Sequence, residues 1–191
     1  FLDIPTDVID VIDQFLVLSD KWDVYYQTER IKIDQDQNTI TQMLNETSSI
    51  YGKAVIDNKS GIQIWRLKVL KYEDQSNWFM LIGVVKDNHE WLVKKRSIDT
   101  WWLYQGGYGF TCSKAMIKCS KGTGREFDSK QQKYGEKFNK EGDTMAVILD
   151  VKEGTLSYII NDTNYGVAFD NIDKTRKSRL AVSISCDARG S

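Results

Sequence analysis

Covalent or acid–base catalysis needs nucleophiles, proton carriers or metal ligands at converging spacings, and this 191-residue sequence offers few of them. Its single histidine, His89, lies in the polar segment KDNHEW. No G-x-S-x-G turn presents a serine to it, so Ser-His and Cys-His chemistry lack a frame, and His89 reads as a surface residue. Cys112, Cys119 and Cys186 are odd in number and lack the C-x₂₋₄-C spacing of a zinc half-site. They read as reduced, buried thiols outside any disulfide framework. Asp34-x-Asp36-x-Asn38 begins like a calcium loop, but Thr39 stands where glycine is needed and Asn45 where a bidentate Glu is needed. A polar hairpin turn explains it better. Alternating carboxylates on one strand face would supply the acid and nucleophile of a glycosidase, but Glu141-x-Asp143 runs on into Met145. Asp143 is therefore a strand-entry turn residue. The glycine-rich stretches KGTGRE and QGGYGF lack the G-x-x-x-x-G-K-[ST] spacing and open no apolar helix, so neither cradles phosphate. No catalytic residue, metal set or cofactor is expected.

What remains is the chemistry of recognition. Six tryptophans stand in a chain with one proline, Pro5. Trp65 and Trp78 lie in candidate strands and read as core, and Trp22 reads as the side chain pinning an N-terminal helix to the rest of the domain. Trp91, Trp101 and Trp102 fall in one connection, residues 87–105. Adjacent Trp101 and Trp102 cannot both face inward if that stretch is extended. The basic clusters Lys94-Lys95-Arg96 and Lys174-Thr175-Arg176-Lys177 with Arg179 read as solvated loops, an acidic peptide partner being the minority reading.

These side chains must be held by a frame. Hydrophobic residues make up 41% of the chain and charged residues 28%, enough to bury a core at the length of one domain. Net charge is −1, which argues against a nucleic-acid binder with a basic face. No apolar run approaches a membrane span, and the first twenty residues carry five Asp, unlike a signal peptide. A cytoplasmic location follows from the reduced cysteines, and three N-x-[ST] sequons, at Asn45, Asn58 and Asn161, are near chance number. The chain starts at Phe1, so a natural protein beginning further upstream is expected.

Residues 4–19 have helical spacing, with Val8, Ile12, Phe15 and Leu18 on one stripe and Pro5 in the first turn. This segment, taken as residues 1–21, either packs on the domain or ends a longer helical region through which the chain self-associates. From residue 22 to 191, short β-branched and aromatic runs are punctuated by Gly, Asn and Asp. Strands are expected at 30–34, 38–43, 53–57, 62–72, 78–86, 107–113, 116–119, 144–150, 154–160, 164–168 and 179–186. They make an antiparallel sandwich or barrel, with turns at Glu153-Gly154 and Asn161-Asp162 and a long charged loop at 120–143.

An ordered series of blocks, from Ser60-Gly61-x-x-x-Trp65 through Ile82-Gly83-Val84-Val85, Gly107-Tyr108-Gly109-Phe110 and Gly142-Asp143-Thr144-Met145 to Leu180-Ala181-Val182-Ser183, then resembles a SPRY domain. Ser60-Gly61-x-x-x-Trp65-x-x-Lys68-Val69 is similar to the family's S-G-x-x-Y-W-E-V strand, with Ile64 and Arg66 departing from it. Ile82-Gly83-Val84-Val85, Gly107-Tyr108-Gly109-Phe110 and Gly142-Asp143-Thr144-Met145 with Leu149-Asp150 come next in order. Gly154-Thr155-Leu156-Ser157-Tyr158, Asn161, Tyr165-Gly166-Val167-Ala168-Phe169 and Leu180-Ala181-Val182-Ser183 complete the series, the closing proline being absent. Residues 20–45 are similar in pattern to the PRY strands that precede some SPRY domains.

The resemblance implies a bent two-sheet antiparallel β-sandwich, a concanavalin-like jelly roll, here with a short N-terminal α-helix. It also implies a non-catalytic module that binds a peptide or folded protein through loops at one edge, as the substrate-recognition part of a larger protein such as a TRIM-type ubiquitin ligase. A lectin-like sandwich that binds carbohydrate is the alternative. Neither nucleic acid nor membrane is an expected partner. The expected contact residues are Trp91, one or both of Trp101 and Trp102, and Tyr104, with Asn58, Lys59 and Arg179 as polar contacts on the loops 57–60 and 170–179.

Overall fold

The computed structural model describes residues 20–26, 30–42, 48–70, 78–88, 106–119 and 132–186. The expected helix at 4–19, His89 and the connection to residue 105 lie outside them. The helical content described is one 3₁₀ turn, Val24–Tyr26.

Twelve strands form among the described residues, β1 (Ile31–Ile33), β2 (Ile40–Gln42), β3 (Ser48–Tyr51), β4 (Ile62–Lys68), β5 (Trp78–Lys86), β6 (Tyr108–Thr111), β7 (Met116–Cys119), β8 (Gln132–Lys133), β9 (Thr144–Asp150), β10 (Thr155–Ile160), β11 (Thr163–Phe169) and β12 (Ser178–Cys186). One sheet has the order β11-β10-β9-β4 and the other β3-β12-β5-β6-β7-β8, while β1 and β2 form a separate hairpin. All pairings are antiparallel.

Alternation builds the first sheet. Met145, Val147 and Leu149 on β9 and Leu156, Tyr158 and Ile160 on β10 are buried, with half-buried residues between them. Each of these strands therefore offers one apolar face to the core. In the second sheet, β5 and β12 are central, and residues 81–85 and 180–184 are buried without a break. Such runs belong to strands covered on both faces. Gly83 on β5 lies opposite Gly109 on β6, and a Cβ at Gly83 would run into the Tyr108 carbonyl oxygen. The glycine in the Ile82-Gly83-Val84-Val85 block is thus a requirement of close strand approach.

A buried polar bond joins the two sheets. The fully buried Tyr158 hydroxyl donates to the Ile82 carbonyl oxygen at 3.1 Å. Around it Phe110 and Tyr134 pack with ring centroids 5.5 and 5.9 Å away.

Tyr134 also repairs a fault in the first sheet. The β10–β11 register shifts between Ser157 and Ile159, so Tyr158 lies where the ladder is interrupted. The Tyr134 hydroxyl accepts from the Tyr158 N–H at 3.2 Å and donates to the Gly166 carbonyl at 2.6 Å. Burial pushes this phenol up to about 12. Tyr134→Phe removes both bonds and strands a backbone donor, and a loss of about 2 kcal/mol of stability is expected. A urea titration checks it, through a lower midpoint with an unchanged slope.

The turns agree with the sequence reading. Asn161 and Asp162 both have positive φ, 47° and 64°, as a tight two-residue hairpin turn requires. Asp34–Thr39 closes the β1–β2 hairpin, with the Asp34 N–H on the Thr39 carbonyl at 3.0 Å. Asp143 accepts from the Asn139 and Lys140 N–H groups at strand entry. Trp22 is buried, and its indole donates to the Asn38 carbonyl at 2.9 Å, so among the described residues it holds the β1–β2 turn. Trp65 is buried and donates to the Asp20 carboxylate at 3.0 Å. Burial raises the Asp20 carboxyl above its usual range despite that bond and one from the Ala54 N–H. Trp78 is on β5, but its side chain lies outside the described residues. Cys112 is a free, buried thiol.

The expected strand at 53–57 is a correction. The paired strand is β3, Ser48–Tyr51, and of 53–57 only Ile56 is bridged, to Ser178. All four β3 residues are buried, Ser48 and Ser49 among them, and the Ser49 and Ser183 hydroxyls pair at 2.6 Å. Lys53-Ala54-Val55-Ile56 has the alternation of a strand but no partner ladder.

Candidate functional site

At one end of the sandwich several loops meet. The turn 57–60 leads into β4, the turn 151–154 joins β9 to β10, and residues 170–177 join β11 to β12. Their neighbourhood is fixed by backbone bonds. Ile56 and Ser178 exchange bonds of 2.8 Å in each direction, the Asp87 N–H donates to the Lys177 carbonyl at 2.9 Å, and the Ile172 N–H donates to the Gly154 carbonyl at 3.0 Å. The row Ile56–Ser178–Lys86 thus links the 52–61 loop, β12 and the end of β5.

Each of these loops is held by an aspartate that caps its turn, Asp150 in the 151–154 turn through the Lys152 and Glu153 N–H groups. Asp57 Oδ1 accepts from the Lys59 N–H and the Ser60 hydroxyl, both at 3.0 Å. Asp173 Oδ1 accepts from the Thr175 N–H at 2.9 Å and its hydroxyl at 2.7 Å. These bonds hold both carboxyls below their usual range, the Lys59 N–H weighing most for Asp57 and the Thr175 hydroxyl for Asp173.

Asn58 and Lys59 are exposed at the tip of the first turn. The paired Ile56–Ser178 backbone bonds bring the 57–60 and 170–177 loops together. Arg179 is different. It is 9% exposed, and its Nε donates to Asp87 Oδ1 at 2.7 Å. Its Nη1 donates at 3.1 Å to Asp23 Oδ2 and to the Gly52 and Lys53 carbonyls. Burial opposes its charge, but Asp87 foremost, then Tyr26 and Asp23, outweigh it and raise its affinity for its proton. Arg179 is therefore a buried tie between the 3₁₀ turn, the 52–53 loop and the end of β5, and not an exposed contact. Trp91, Trp101, Trp102 and Tyr104 lie outside the described residues.

The residues that bound the aromatic connection are described, and both sides belong to this edge. Asp87 is held by Arg179 and by the Lys177 carbonyl. The Gly106 carbonyl accepts from Arg176 Nη1. Arg176 also donates from Nε to the Ser178 hydroxyl at 3.1 Å, and its guanidinium lies 4.9 Å from the Tyr108 ring centroid. Tyr108 in turn donates to the Asn171 carbonyl at 3.2 Å. Burial pulls the Arg176 guanidinium below the usual arginine range. Sequence reasoning missed Arg176, Tyr108 and Asp87 because Lys174-Thr175-Arg176-Lys177 reads as uniformly solvated. Lys174 and Lys177 are exposed, but Arg176 is drawn inward.

Among the described residues no group of three His, Cys, Asp or Glu could hold a metal, and no helix is long and apolar enough to cross a membrane. The edge offers hydrogen-bonding backbone, fixed cations and aromatic faces, which suit binding.

The SPRY domain model matches residues 63–190 of the chain. Among solved structures, the SPRY domain of human HERC1 is similar at 14% identity with a TM-score of 0.62, covering 89% of this chain and 99% of that one. The neuralized-NHR1 domain of Drosophila melanogaster is similar at 11% identity and 0.60, covering 87% and 96%. The TRIM65 PSpry domain is similar at 8% identity and 0.60, covering 92% and 97%. At these identities the likeness is one of fold. No curated protein sequence matches the chain.

Proposed function

The chain belongs to the SPRY family, and from that membership we propose that it is a non-catalytic interaction module, working in the cytoplasm, that binds a peptide or a folded protein at the edge just described. The observation that carries this reading is the convergence there of the turns 57–60 and 170–177 with the described residues that flank the tryptophan-rich connection, Asp87 and Gly106. A rigid sandwich that holds several loops in fixed relation can read a partner with little ordering cost. The family resemblance adds the setting, a substrate-recognition part within a larger protein such as a ubiquitin ligase. Self-association through residues 1–21 would add avidity to that role.

Trp91, Trp101, Trp102 and Tyr104 are proposed as the aromatic contacts, with Asn58 and Lys59 at the rim. Tryptophan and tyrosine bury large areas at small rotamer cost and dominate interface energetics. Trp101→Ala or Trp102→Ala should weaken a partner captured by proximity labelling by about 2 kcal/mol. The melting temperature should stay near that of the parent. A variant that melts earlier with unchanged affinity would contradict the assignment. Saturable binding on a glycan array with no protein ligand would favour the carbohydrate-binding alternative.

A further inference from the structure

The outer face of the four-stranded sheet is apolar where water alone would favour polar residues. Alternation turns Val147 and Leu149 of β9 and Tyr158 and Ile160 of β10 into the core, so Ala146, Ile148, Ser157 and Ile159 point out. Register carries that face across all four strands. Ile64 on β4 lies opposite Ile148, Ile148 opposite Ser157, and Ser157 opposite Val167 on β11. Beside this row, Arg66 lies opposite Ala146 and Ala146 opposite Ile159. Ile62, two residues before Ile64, shares the face. Ile62 is 60% exposed and Val167 56%, and the isoleucines between them are half-buried. A contiguous apolar patch of this kind, rimmed by polar residues, marks a contact surface.

The chain itself carries a segment suited to cover it. Asp20, the first described residue, accepts from the Trp65 indole at 3.0 Å and from the Ala54 N–H at 2.6 Å. Trp65 is the neighbour of Ile64 on β4, and β4 is an edge strand of this sheet. Residues 1–19 are thus tethered at the border of the patch. At about 100° per residue, a helix over 4–19 puts Val8, Val11, Ile12, Phe15 and Leu18 on one side and Asp10 and Asp13 on the other. Such a helix is about 24 Å long, against about 14 Å across four strands, so it can reach from β4 to β11. The charges also agree in sign. Residues 1–20 hold five Asp and no Lys or Arg. The outward strand positions of the face hold Arg66 and Lys68, both exposed, and one carboxylate, Asp150, which is engaged by the Lys152 and Glu153 N–H groups.

We propose that residues 4–19 form a helix whose apolar side docks on this outer face of the same chain, with its carboxylates in the field of Arg66 and Lys68. The docked segment sets the direction in which the loop edge faces relative to the segment's N-terminal end. Self-association through it then requires exchange of the docked helix between copies. The proposal is independent of what the loop edge binds.

The test is hydrogen exchange of the full chain over a dilution series, with sedimentation reporting its oligomeric state. In the monomer, amides 8–18 should exchange at least ~10-fold more slowly than in an unstructured chain, because each isoleucine or phenylalanine buried by docking is worth about that factor. The outer-face variant I62E/I148E should abolish this protection. If that variant fails to fold, I12E/F15E, which changes the segment alone, takes its place. It should remove the same protection and shift the methyl resonances of Ile64, Ile148 and Ile159. Amides 8–18 that exchange as freely as an unstructured chain overturn the docking. Protection that survives I62E/I148E in a folded chain, or methyl resonances unmoved by I12E/F15E, overturns this face as the site. Protection that fades on dilution as a dimer dissociates gives the face to the segment of a second copy and overturns the assignment to the same chain.

Discussion

Replacing Arg179 with methionine should lower the stability of the fold by about 3 kcal/mol, the low end of what removing one partner of a buried ion pair costs. The low end applies because Asp23 and Asp87 keep 19% and 17% of their side-chain surface in contact with solvent. The change leaves two carboxylates facing each other's field and two backbone carbonyls, at Gly52 and Lys53, without their donor. Arg179→Lys should recover only part of the loss. Lysine keeps the charge, but a single ammonium cannot reach Asp87 from one side and Asp23, Gly52 and Lys53 from the other as the guanidinium fork does. The check is chemical denaturation of the three proteins. Near-equal stability of parent and methionine variant would mean that the pairs are screened by water. Because Arg179 anchors Asp87, the variant should also weaken partner binding in step with its stability.

Tyr158→Ala should cost about 3–5 kcal/mol, the range for deleting a large buried aromatic. Tyr158 is fully buried between Phe110 and Tyr134, and its hydroxyl makes the bond to Ile82 that joins the two sheets. Tyr158→Phe separates the contributions. It keeps the ring and should lose about 1 kcal/mol for the hydrogen bond alone. Thermal melts of both variants decide it. A phenylalanine variant as unstable as the alanine one would place the energy in the hydroxyl, against the packing argument. Burial holds the Tyr158 phenol well above its usual range, so it stays protonated and the inter-sheet bond is insensitive to pH near neutrality.

Strands were legible in the sequence whether they alternate, as β9 and β10 do, or run buried without a break, as β5 and β12 do. Residues 144–150 and 116–119 were delimited as β9 and β7 stand, and 154–160 and 179–186 each differ by one residue. β3 was not legible, because its buried serines look like loop residues until Ser49 meets Ser183, 134 positions away. β8 has two residues, both exposed, and so carries no periodic signal. Residues 134–143, read as part of a charged loop, contain buried Phe138 and the Tyr134 hydroxyl that mends the β10–β11 ladder. That role depends on a register shift invisible in the local pattern.

The candidate edge was legible as a pair of loops and not as a set of roles. Asn58 and Lys59 are exposed. Arg176 and Arg179 stand in one basic run with Lys174 and Lys177, and composition cannot say which cations turn inward. Burial separates them. The two arginines, whose planar forks can serve several acceptors at once, are used for internal bonds, and the lysines remain in water.

The central claim is that this edge is where a protein partner binds. Hydrogen exchange of the full chain with and without its captured partner tests it most directly. Added protection should concentrate in residues 57–61, 106–108 and 170–177. Protection confined to the opposite end, at 142–144 and the Asn161–Asp162 turn, with the loop edge unchanged, would contradict it.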